Sequence, residues 1–82
     1  MLVAATRDDL RRMFDNGVMK GATHMAVFMD IMDYEDYPVY YDAAKTPDIK
    51  AEVAKNNERL MEVYDLRLDR EAQMAERRAF HY

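Results

Sequence analysis

The sequence predicts an α+β fold, a small three-stranded sheet with helices packed on it in the order α-β-β-α-β-α, as a single domain over residues 1–82. Three observations carry this expectation. Apolar residues recur one helical turn apart behind Thr6-Arg7-Asp8-Asp9, the segment from Thr23 to Met32 is apolar on both alternating faces, and a second strand-like run at 60–68 lies between two segments with helix-entrance chemistry. A chain of this length buries only roughly 60 to 65% of the surface its unfolded form exposes, so one modest core is expected and a deep enzyme cleft is not.

The first helix is expected over about residues 7–20, with Leu10, Met13, Phe14 and Val18 on one face. Gly17 weakens it by roughly 1 kcal/mol relative to Ala, which leaves an end at Asn16-Gly17 open, and Gly21 closes it in either case. His24 to Met32 reads as the central strand, covered on two sides. Asp33-Tyr34-Glu35-Asp36 breaks the apolar run, and Pro38–Tyr41 offers a second strand whose proline suits a strand start or an edge, giving a hairpin. Thr46-Pro47-Asp48 places a capping hydroxyl ahead of a first-turn proline, so a short helix through Ile49 and Val53 is expected to run to about Asn56-Asn57. Leu60 to Leu68 then forms the third strand, and Asp69 caps a last helix through Ala72, Ala75, Ala79 and Phe80. The order of strands in the sheet does not follow from these patterns.

The charge is unevenly placed. The chain carries 12 Lys and Arg against 16 Asp and Glu, a net −4. Between Gly21 and Ala44 there is no cation at all, while Asp30, Asp33, Glu35, Asp36 and Asp42 contribute −5; the remaining residues sum to +1. The same segment holds Tyr34, Tyr37, Tyr40 and Tyr41, four of the six tyrosines. Tyrosine offers large contact area with few rotatable bonds and a hydrogen-bonding end, so an acidic, tyrosine-rich hairpin has the composition of a recognition surface for a basic partner. Solvation of a hairpin tip accounts for the same carboxylates, and half-packed rings for the same tyrosines. The absence of any compensating cation in an otherwise evenly charged chain favours the recognition reading, with Asp30, Asp33, Tyr34, Glu35, Asp36, Tyr37, Tyr40 and Asp42 as the contact residues. Arg59, Arg67, Arg70 or Arg77 folded onto the carboxylates would neutralise the patch.

Several chemistries lack their residues. There is no cysteine and no serine, so thiolate or serine nucleophiles, disulfides and Cys-based zinc or iron–sulfur sites are excluded, and two glycines cannot build a phosphate loop. The carboxylates around Asp30 have a calcium-like density but not the order of an EF-hand loop. No metal, cofactor or catalytic residue is expected; the enzyme alternative is a small metal-dependent hydrolase using His24, Asp30 and Asp33. Another alternative is a nucleotide-signal sponge in which tyrosines stack the ligand and Arg59 or Arg67 meets its phosphate. The acidic balance disfavours nucleic-acid backbones and anionic membranes, and Met1–Ala5 is too short for a signal or membrane segment, so a cytoplasmic protein is expected.

Gly21-Ala22-Thr23-His24-Met25, then Asp30 and Asp33-Tyr34-Glu35-Asp36-Tyr37-Pro38-Val39-Tyr40, resemble a family of small phage and prophage proteins, as do Met61-Glu62-Val63-Tyr64-Asp65-Leu66 and the stretch from Asp69 to His81. That family is mostly without assigned activity. The chain is also similar to the short anti-CRISPR inhibitors of type I (I-C-like) systems. This likeness implies an acidic, single-domain inhibitor in the host cytoplasm, monomeric by preference, that binds a basic subunit of the crRNA-guided surveillance complex and blocks DNA recognition.

Overall fold

A computed structural model describes residues 5–82, and its elements follow the expected order. Helix α1 (Arg7–Met19) opens on a reciprocal cap: the Thr6 hydroxyl accepts from Asp9 N at 3.1 Å, and the Asp9 carboxylate accepts from Thr6 N at 3.0 Å. Its buried face is Leu10, Phe14 and Gly17. The helix runs through Gly17 rather than ending there. A Cβ at this position would lie 2.6 Å from Leu66 Cδ1 and 2.7 Å from Tyr40 Cε1, so the missing side chain is what lets the sheet close onto the helix. Gly21, at φ 78°, then turns the chain in the left-handed region that glycine occupies without strain.

Strand β1 (His24–Met29) is central, between β2 (Asp36–Tyr41) and β3 (Arg59–Asp65), both antiparallel to it. Its two faces feed two clusters. Met25 and Val27 join Leu10, Phe14, Tyr64, Leu66, Met74 and Ala79, which seats α1 and α3 (Arg70–Met74) on one side. Ala26 and Phe28 join Val63 and the Ile49 and Val53 side chains of α2 (Ile49–Ala54) on the other. Covering both faces is the physical reason β1 is apolar without alternation. Val27 stands opposite Glu62 and Phe28 opposite Leu60, so Met61 is the extra residue of a bulge.

Several boundaries differ from expectation, and β2 already begins at Asp36, two residues before Pro38, where Asp36 pairs with Met29. Helix α2 is capped by Asp48, which accepts from Ala51 N at 3.1 Å, and not by Thr46. The Asp42 carbonyl already takes the Thr46 and Lys45 amides in a tight turn, so the helix starts after it. The strands stop short of Met32 and Leu68, because Asp30 and Asp65 each accept amides two residues ahead and start turns. Helix α3 ends at Met74 instead of reaching Phe80. Val63 N donates to Ala79 O, and His81 N donates to Val63 O, both at 2.9 Å, so the tail lies as a short parallel edge beside β3. On the opposite border, Asp30 N donates to Glu35 O. Alternation then turns Pro38, which has no N–H, toward the outside of β2. Among the described residues no helix is long and apolar enough to cross a membrane.

Candidate binding site

The β1–β2 connection is a compact tip built on Asp30. Its Oδ1 accepts from Met32 N at 2.7 Å and Asp33 N at 3.1 Å, and its carbonyl accepts from Tyr34 N at 2.6 Å. Tyr34 completes the reversal at φ 60°, a left-handed conformation that bulky residues seldom adopt. Glu58, itself fixed by a 2.7 Å bond from its amide to Asn56 Oδ1, reaches across to accept from Ile31 N at 2.9 Å. The tip is therefore braced against the start of β3. It presents Met32 (81% exposed), Tyr34 (61%) and Ile31 (55%) between the exposed carboxylates Asp33 and Glu35.

The other expected contact residues do not all gather there. Asp36 is half-buried and turns under the tip, where Oδ2 accepts from Ala5 N at 3.0 Å. Asp42 follows the far end of β2, roughly 20 Å away along the strand, and accepts from Ala44 N at 2.9 Å. Tyr37 stacks on Phe28 with ring centroids 5.9 Å apart, and Tyr37 and Tyr41 flank the cluster containing Ile49 and Val53. Tyr40 points to the opposite face, where its hydroxyl donates to Met13 O at 2.6 Å and Lys20 Nζ lies 5.0 Å from its ring. Burial raises the phenol pKa of both Tyr40 and Tyr41. Of the four tyrosines, Tyr34 alone is an exposed ring at the tip.

None of the five carboxylates between Gly21 and Ala44 forms an ion pair among the described residues. Arg67 is paired with Asp65 at 2.9 Å and holds that carboxyl below its ordinary range; Arg70 pairs with Asp15 at 2.7 Å and Glu71 at 2.8 Å. Arg59 stands opposite Met29 at the tip end of the sheet, yet makes no ion pair with the acidic residues there.

His24 lies at the other end of β1 from Asp30 and is 2% exposed. Its Nδ1 is 2.8 Å from Thr23 Oγ1, and its Nε2 is 3.7 Å from Asp65 Oδ2. Burial depresses its pKa despite the opposing Asp65 carboxylate, and Arg67 depresses it further. The trio His24, Asp30 and Asp33 thus does not converge, and among the described residues no three His or acidic side chains surround a point a metal ion could occupy.

Two buried polar groups escaped the sequence reading. Gln73 clips the end of β3, with Oε1 accepting from Asp65 N at 2.8 Å and Nε2 donating to Asp65 O at 2.9 Å. Glu62 accepts from the Tyr64 hydroxyl, from Ala79 N at 3.2 Å and from Arg7 at 3.3 Å. Burial, with the Glu62 carboxylate beside it, pushes the Tyr64 phenol far above its ordinary range. The sequence signal for Glu62 is that it interrupts, as Asp65 does, the apolar run that starts at Leu60. Glu62 also borders an open cleft of about 310 Å³ between the start of α1, the sheet and the tail, with Arg7, Arg77, Arg78 and Asp36 on its walls. Neither a family model, nor a curated protein, nor a solved structure matches this chain.

Proposed function

We propose that this chain is a non-enzymatic inhibitor of phage type that docks on a basic host protein through the β1–β2 tip. The observation supporting this reading is uncompensated acidity beside exposed apolar side chains. Asp33 and Glu35 make no ion pair among the described residues, while Ile31, Met32 and Tyr34 stand open to solvent next to them. Carboxylates of this kind steer and orient a basic partner, and an apolar centre supplies the contact that excludes water. The finer form of the reading names a subunit of a type I CRISPR surveillance complex, whose cation-lined DNA grooves such a tip would enter, with loss of DNA recognition as the result. Asp36 is half-buried and Asp42 is remote, so the contact is a local block of one groove rather than an imitation of a duplex.

The test is the double variant Asp33→Asn/Glu35→Gln, with Tyr34→Ala as a second arm, assayed by pull-down and DNA-binding inhibition with purified surveillance complex at about 0.15 M salt. Binding should fall at least about tenfold and lose its salt dependence in the double variant. Unchanged binding and inhibition in both arms would remove the tip from the mechanism. A parallel pull-down from host lysate that retains another protein, with no affinity for the complex, would keep the tip and reject that partner.

A further inference from the structure

The cleft beside Glu62 takes no part in the tip reading. Its volume, about 310 Å³, is at the lower end of small-molecule sites. Leu10, Val27 and Met61 give it an apolar floor, and three guanidinium groups face two carboxylates on its walls. Arg7 is already committed to Glu62 and to the Tyr64 hydroxyl, each at 3.3 Å. Arg78 is held in place: one nitrogen donates to Leu60 O and Met61 O at 3.3 and 3.2 Å, and its guanidinium carbon lies 5.1 Å from the Phe80 ring centre. Its other N–H donors have no partner among the described residues. Arg77 makes no hydrogen bond or ion pair among the described residues.

We infer that this cleft binds a small aliphatic carboxylate, with the anion on Arg77 and Arg78 and the hydrocarbon on Leu10, Val27 and Met61. Arginine presents paired N–H donors that match a carboxylate. The wall charges sum to a single positive unit, which suits a monoanion. A phosphate dianion would bring excess charge toward Asp36 and Glu62. The same chemistry is offered by a free branched-chain acid and by the C-terminal residue of a peptide.

N-acetyl-leucine, its uncharged amide and the peptide acetyl-Ala-Ala-Leu are titrated separately into the full chain and followed by amide and methyl NMR shifts. Saturable shifts at Val27 and Met61 are expected with the acid, with the amide binding at least about tenfold more weakly and Met32 and Tyr34 unmoved. Arg77→Gln should weaken the acid about tenfold with an otherwise unchanged spectrum, since Arg77 holds no side-chain bond among the described residues. Tighter binding of the peptide assigns the site to a chain terminus, and equal binding assigns it to the free acid. Equal affinity for acid and amide, tighter binding of inorganic phosphate, or no shift at the floor methyls up to about 10 mM acid would overturn the assignment.

Discussion

At Gly17 one absent methyl group decides how near α1 lies to β2. By helix propensity alone, Gly17→Ala should stabilise by roughly 1 kcal/mol. The Tyr40 ring, pinned through its hydroxyl to Met13 O, reverses the sign, because an added Cβ would meet that ring at 2.7 Å. Leu66 can swing aside but the ring cannot without losing its bond, so Gly17→Ala is expected to destabilise by about 1–3 kcal/mol in urea unfolding. His24 gives the second residue-level prediction. Its ordinary pKa of 6.5 applies to the unfolded chain and burial depresses the folded value. The unfolded form therefore takes up the proton first as pH falls. The stability His24 contributes is complete above pH 6.5 and drains as pH drops toward the folded value, by at most about 1.4 kcal/mol per pH unit. Unfolding measured between pH 7.5 and 5.5 should show this slope, and His24→Gln should lack it.

Among the elements, α1 carries the clearest local signature, and Thr6→Ala is expected to cost about 1 kcal/mol, read from the shift of the urea midpoint, because the hydroxyl that accepts from Asp9 N is lost while the backbone half of the cap remains. This helix and the Asp69 cap were legible because each rests on contacts within a few residues of the sequence, and the central strand because an unbroken apolar run marks a strand covered on both faces. Where helices end was less legible. Thr46-Pro47 has entrance chemistry as good as Asp48, and only the Asp42 turn, which consumes the Thr46 amide, decides between them. Likewise the stretch after Met74 has good helix formers, yet Val63 captures Ala79 and His81 from across the fold. The acidic hairpin was legible as composition, since charge counts need no coordinates. Its division was not: strand alternation and length send Tyr40 to one face, Tyr37 and Tyr41 to the other, and Asp42 to the far end.

For the whole molecule, charge and stability are separable. The Asp33 and Glu35 side chains hold no partner among the described residues, so the Asp33→Asn/Glu35→Gln protein should keep its thermal midpoint to within about 0.5 kcal/mol of stability while its affinity for a basic partner changes. Thermal unfolding beside the binding assay separates the two. The sheet borders have a different kind of consequence. Pro38 on one side, and the tail with Arg78 on the carbonyls of Leu60 and Met61 on the other, leave little backbone onto which a foreign strand could zip. Ending the chain before Ala79 would strip the β3 border and leave Glu62 without its amide donor. Such a truncated protein should form light-scattering, thioflavin-positive aggregates at concentrations where the full chain stays dispersed, which makes the last four residues a guard against amyloid growth.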